Sequence, residues 1–226
     1  MLKQSAVVNG GFLGGFFAEE FIRNCNLLTN IVVTNHMKEF TAKSSSIAEE
    51  YYDYLETEDF EIKGKRKKKM QDFMFRDPDF LEPYLTLVET LEETSEYMKA
   101  AWVMEDAYAK AFELIGAEDG QWPELILWEY EENRPILSTI FNRAISLYDR
   151  FFFSEALEIF RKLMAVNPTD ELGVRFYILG IRLKMSLIDY ETKVIGKDES
   201  GQAAMDWFDD NRAEFEEEFK GLKEVE

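Results

Sequence analysis

The chain has 226 residues, of which 46% are apolar, 15% aromatic and 31% charged, enough hydrophobic material to offset chain entropy in a sizeable core. Its 45 acidic side chains against 26 basic ones leave a net charge of −19, which excludes nucleic acid and anionic membrane surfaces as default partners. With Cys25 the only cysteine and His36 the only histidine, neither an intrachain disulfide nor a Cys/His zinc cluster can form, and a reducing, cytoplasmic setting is expected.

Lys3 followed by the mostly apolar run from Ala6 to Ala18 has the outline of a secretory signal. Asn9 and the glycines at 10, 11, 14 and 15 interrupt it, however, and Phe16 stands three before a cut after Ala18, where a small residue is needed. No apolar run reaches the roughly 20 residues of a membrane span, so no membrane association is expected. From Glu19 to Met37, Phe21, Cys25, Leu28 and Val32 recur at steps of three and four and predict an amphipathic helix. Ser44, Ser45 and Ser46 offer N-cap hydroxyls ahead of a second stripe, Ile47, Tyr51, Tyr54 and Leu55. Residues 1–62 are thus read as an N-terminal helical segment, a hairpin.

Six positive charges crowd the seven positions from Lys63 to Lys69. Such a run can mark a nuclear-targeting or nucleic-acid patch. With no aromatic residue interleaved, and like charges that prefer solvent, residues 63–76 read more simply as a basic linker, a surface loop or exposed helix start. The acidic tail is one candidate partner for its charges.

Asp77-Pro78-Asp79 predicts a helix start with Asp77 as cap, running to about Glu93. Thr94 or Ser95 would cap the next helix, which Gly116 ends. Trp122-Pro123 would open a short helix carrying Leu125, Ile126 and Trp128. Amphipathic segments follow at Ile136 to Tyr148 and Ser154 to Val166, around an aromatic corner, Phe151 to Phe153. Asn167-Pro168-Thr169-Asp170 would start a helix to about Ile188, with Asn167 as cap and Asp170 facing the positive helix end. Residues 189–226 hold a polar linker and an acidic helix whose apolar stripe, Ala204, Phe208, Phe215, Phe219 and Leu222, must dock on the preceding helices.

Ile140, Ala144, Leu147, Ala156, Phe160 and Pro168 stand at the relative spacings of one tetratricopeptide (TPR) unit, with Ala144 and Ala156 small enough to let two helices cross closely. Tyr84, Leu87, Leu91, Ala100, Met104 and Ala107 form a similar hairpin, and Val174, Tyr177, Ile178 and Ile181 begin a third. Residues 77–188 therefore resemble degenerate TPR hairpins. Ala100 and Ala156 lie 56 positions apart where the repeat has about 34, which implies an insertion at about 113–135. The resemblance implies an all-α protein of antiparallel hairpins stacked as a short solenoid, with an N-terminal hairpin and a C-terminal capping helix. It implies a protein-interaction module with a protein or peptide partner, no cofactor and no catalytic activity.

Among candidate sites, neighbouring carboxylates such as Glu92/Glu93, Glu131/Glu132 and Asp209/Asp210 point about 100° apart on a helix and do not converge on a metal or an acid/base couple by themselves. His36 near a helix end suits the dipole, and Cys25 behaves as a small hydrophobe. Arg134 and Arg175 are the chosen contacts, able to grip a carboxylate bidentately from a concave groove; the plainer alternative for Arg175 is an internal ion pair. Trp102, Trp122, Trp128 and the corner Phe151 to Phe153 read first as core, though an insertion holding both Trp122 and Trp128 could line the groove. Two rival functions stand beside the interaction module: an acidic adaptor or chaperone for a basic or nucleic-acid-associated protein, and an enzyme whose groups converge only in space.

Overall fold

The computed structural model describes residues 39–116, 121–197 and 201–220. The helix expected over Glu19–Met37, with Cys25 and His36, lies outside these residues, as does Leu222. In chain order the elements are β1 (Glu39–Phe40), α1 (Ala48–Leu55), α2 (Lys63–Arg76), α3 (Glu82–Glu93), α4 (Tyr97–Leu114), β2 (Leu125–Ile126), α5 (Arg134–Asp149) and α6 (Phe153–Val166). There follow α7 (Val174–Arg182), α8 (Leu187–Lys193), α9 (Gln202–Asn211) and α10 (Glu216–Phe219), with single 3-10 turns at Glu131–Asn133, Ile195–Lys197 and Arg212–Phe215. The described protein is all-α in class. The expectation of no sheet fails in one small place: β1 and β2 pair in parallel, Glu39 opposite Leu125 and Phe40 opposite Ile126.

Helices α5 and α6 follow from their apolar periodicity. Ile136, Leu137, Ile140, Phe141, Ala144, Ile145 and Tyr148 are all buried on α5, and Ala156, Ile159, Phe160 and Leu163 on α6. Pro135 sits in the first turn of α5, where its missing N–H costs nothing. Each helix packs chiefly on its chain neighbour, α2 on α3, α3 on α4, α4 on α5, α5 on α6 and α6 on α7. The buried side chains fall into two clusters. The larger spans α5 to α10 and the inner ends of α3 and α4, and the smaller gathers Tyr51, Met70, Phe73, Phe80, Leu87 and Leu91 from α1, α2 and α3.

Three helices end in the same way. After α3, α5 and α7 the chain turns through a residue of positive φ, Ser95 (59°), Phe151 (64°) and Lys184 (59°). In each case the next residue's N–H donates to a carbonyl five positions back: Glu96 to Leu91 at 2.8 Å, Phe152 to Leu147 at 2.9 Å, Met185 to Gly180 at 3.0 Å. This is the double-bonded helix ending that normally takes glycine at the left-handed position. Here non-glycine residues hold it at a local cost of about 1 kcal/mol each.

Several expected boundaries move, each for a local reason. Asp77 does not cap α3, which begins five residues later with Pro83 in its first turn. Instead Asp77 accepts from the Ser45 hydroxyl at 2.6 Å and from the Asp79 amide, while Phe80 and Leu81 turn inward. Asn167 ends α6 and does not start α7; its amide binds Glu171 at 2.9 Å. Left-handed Asp170 and Gly173 keep the chain non-helical until Val174, and Lys184 ends α7 short of Ile188. Residues 63–76 are no loop, because Arg66, Met70 and Phe73 recur at helical spacing and are buried. Leu125 to Leu127 form a fully buried extended run where a short helix was expected. The acidic C-terminal helix is broken after α9, where the Asn211 side chain donates to the Trp207 carbonyl at 2.7 Å and competes with the backbone ladder. Phe208 nevertheless docks on Phe176 of α7 and on Phe219, with ring centroids 5.4 and 4.9 Å apart.

Candidate functional site

The segment before α5 is organised by one buried side chain. The Asn133 carbonyl oxygen accepts from the Ala42 amide at 2.9 Å, and its Nδ2 donates to the carbonyls of Phe40 and Leu127, both at 3.0 Å. It thereby ties the β1 strand and the β2 segment to the start of α5. Arg134, next in the chain, points outward. Its Nε donates to the Trp128 carbonyl at 3.0 Å, its guanidinium lies 5.8 Å from the Trp128 ring centre, and Glu131 approaches it at 3.7 Å. Arg134 and Trp128, chosen separately from sequence, thus form one half-exposed cation–aromatic pair. Trp122 stands apart, edge-on to Phe112 at 5.4 Å, its buried indole N–H without a hydrogen-bond partner among the described residues.

Arg175 belongs to a different place and a different task. Its Nε donates to Asp170 Oδ2 at 2.7 Å, leaving 16% of its side chain exposed beside a fully buried carboxylate. Asp170 also accepts from the amides of Val174 at 2.6 Å and Arg175 at 3.2 Å. Burial pushes its carboxyl up, and Arg175 with the two amides opposes that shift. Asp170 therefore does cap α7, from four residues before its first turn and through its side chain, with Arg175 as its counter-ion.

Among the described residues the basic run is engaged on its own neighbours. Lys65 pairs with Asp59 (2.6 Å), Arg66 with Glu93 (3.1 Å), Lys67 with Glu96, and Lys69 with Glu50 (2.8 Å); Arg76 adds a second bond to Glu50 at 2.5 Å. These bonds hold the carboxyls of Glu50 and Glu96 down at about 2. The outer stripe of α2, with Lys65, Lys68, Asp72 and Phe75, lines an open cleft of about 510 Å³ against Tyr54 and Asp59, and both charge signs meet there.

Several carboxyls are pushed up, chiefly by burial. Glu92 feels Glu89 and Asp149, and burial first, then those neighbours, raises it to about 7. Burial together with Asp149 raises Glu191. Burial also raises Glu82 to about 7, against a hydrogen bond from the Tyr52 hydroxyl at 3.2 Å. Among the described residues no group of three His, Cys, Asp or Glu side chains is placed to hold a metal ion, and no helix is long and apolar enough to cross a membrane.

The surface also exposes large apolar residues, of which Trp102 and Phe151 are read as core on residue type alone. Trp102, Met98 and Tyr97 on α4, and Phe151 at the α5–α6 corner, are all exposed. The signal for α4 was in the spacing: Ala100, Met104, Ala107 and Ala111 define the buried arc and leave Met98 and Trp102 off it. No protein-family model, curated protein or solved structure matches the chain.

Proposed function

We propose that this chain is a TPR-like stack of helical hairpins that works as a protein-interaction module, without catalysis and in a reducing, cytoplasmic setting. The observation that supports it best is the recurrence of one helix-ending turn at Ser95, Phe151 and Lys184. Phe151 and Lys184 are 33 positions apart, close to the TPR period of about 34. Ser95 and Phe151 are 56 apart, and the excess over that period is close to the length of the segment at about 113–135 that carries β2, Trp122 and Trp128. Ala100, Ala144 and Ala156 are buried, as close helix crossings require. Stacked hairpins offer a surface to which many helices contribute, and such surfaces bind partners. Arg134 with Trp128 is the pair retained as a contact; Arg175 and Trp122 serve the scaffold.

The reading as an acidic adaptor for a basic protein gains from one observation. The lysine run is largely neutralised by carboxylates of α1, α3 and the α3–α4 turn, so the excess negative charge is left for partners. Affinity capture with the full chain, followed by direct binding of each purified candidate, tests the module. A saturable, stoichiometric complex weakened by Arg134→Ala supports it. Recovery only of proteins that fail to bind once purified removes it.

A further inference from the structure

Helix α4 has two unlike arcs. Ala100, Met104, Ala107 and Ala111 lie on one side and are buried, Met104 and Ala100 against the smaller cluster, Ala107 and Ala111 against the larger. At about 100° per residue, Met98 and Trp102 share a line well round from that arc. They are 72% and 67% exposed, and Tyr97 beside them is 55% exposed. Single exposed hydrophobes are ordinary, but Met98 and Trp102, one turn apart on the same face, form a patch, with Tyr97 exposed further round the helix. Tryptophan, tyrosine and methionine are also the residue types that carry interface energy.

Toward the C-terminus the same line changes character. Asp106 and Glu113 are exposed on it, with the small Ala109 and the half-buried Lys110 between them, while Glu105 is paired with Arg143 at 2.8 Å. Asp106 stands near the Tyr84 phenol together with Asp79 and Asp77, which contribute with burial to raising that phenol to about 12. The one cation within the first turn of α4, Lys99, is paired with Glu96 at 2.5 Å.

We infer that the outer face of α4 is a docking surface for an amphipathic segment of another protein, one that sets an apolar anchor on Met98 and Trp102 and lysine or arginine side chains along Asp106 and Glu113. This rests on the interaction-module reading and names its partner's chemistry. Charge complementarity selects the occupant: an apolar patch continued by carboxylates, on a molecule of net charge −19, attracts a basic amphipathic segment and repels an acidic one. A second copy brings the same charge with it and is disfavoured on that ground.

Two synthetic amphipathic helical peptides with one shared leucine stripe, one with lysines and one with glutamates on the polar face, test this against the full chain by calorimetry. The lysine peptide should bind and the glutamate peptide should not. Trp102→Ala should weaken binding by roughly tenfold or more with an unchanged melting temperature. Asp106→Asn with Glu113→Gln should weaken it less and flatten its salt dependence. Amide exchange should place the peptide's footprint on α4. A footprint elsewhere, or unchanged affinity in Trp102→Ala, overturns this site while leaving the module reading intact, because a partner surface still exists. Binding of neither peptide, or of both alike, overturns it as well. A concentration-dependent dimer abolished by Trp102→Ala in sedimentation assigns the face to a second copy. Equal acrylamide quenching of wild type and Trp102→Phe shows the face covered by the chain itself, and both results overturn the inference.

Discussion

Under α5 to α8 four rings, Phe141, Phe160, Tyr177 and Tyr190, touch in series with centroids 4.9 to 5.9 Å apart, and all are buried. Around Met70 and Phe73 the rings of Tyr51, Tyr54 and Phe80 also meet Phe73 or one another edge-on, and here the outside of α2 is held in addition by ion pairs to α1, α3 and the α3–α4 turn. The two regions rely on forces with different responses. Apolar burial is indifferent to salt and to acid, whereas exposed ion pairs weaken with both. The outside of α2 is therefore a part that the solution can loosen, on a chain whose interior is set by packing in both regions.

The sharpest way to break that contrast is in the ring cluster. Phe160→Ala removes a fully buried ring, and urea unfolding should show a loss of about 4 kcal/mol that does not depend on salt. A loss under about 1 kcal/mol would mean that the rings do not share the load. Next in size is the Arg175–Asp170 ion pair, whose carboxylate is fully buried in the packed part. Arg175→Ala leaves the Asp170 carboxylate buried without its counter-ion and should cost about 3 kcal/mol, of which adding Asp170→Asn should restore a portion. If single and double variants are equally unstable, the cost lies in packing and not in charge.

Asn133→Ala should cost about 2 kcal/mol, because three backbone groups lose their partner at once, and amide exchange should rise at Ala42 before it rises in α5. Glu82 probes the edge between the regions. Its folded carboxyl is raised from 4.5 to about 7, so its favourable contribution is present below about 4.5 and is lost as pH rises through about 7. Glu82→Gln should thus match wild type near pH 5 and exceed it above pH 7, by about 1 kcal/mol in thermal or urea unfolding. Glu50 has the opposite sign and the smallest effect. Its carboxyl is lowered from 4.5 to about 2, so its contribution is present above about 4.5 and disappears as pH falls toward 2. Glu50→Gln should lower the melting temperature slightly at neutral pH and low salt. A difference that survives high salt would mean that α2 is held by something besides these charges.

Local sequence carried the interior helices well. The spacing of Ile136 through Tyr148 and of Ala156 through Leu163 predicts α5 and α6 nearly to their ends, since a one-sided apolar stripe at 3.6-residue period has no other stable use. It carried the site less well. Arg134 and Trp128 were both chosen, but their pairing depends on a carbonyl six residues away, and Arg175 was separated from any groove by a carboxylate whose burial no spacing reveals. The exposure of Trp102 was legible from the phase of its helix, and residue type alone misplaced it.

Composition and periodicity by themselves determined the helical class, the number of charges to be solvated, and which faces of α5 and α6 turn inward, because these depend only on side-chain chemistry and the geometry of one helix. Only the tertiary structure decided the rest. Leu125 and Ile126 are extended because β1, some 86 residues earlier in the chain, comes to pair with them. The basic run is helical because Met70 and Phe73 have a cluster to enter and Glu50, Glu93 and Glu96 arrive to receive its charges. Asp77 and Asn167, which look like caps, find stronger partners in Ser45 and Glu171. In each case the outcome was set by a contact between segments, whose energy of a few kcal/mol exceeds the fraction of a kcal/mol by which local propensity favours one conformation.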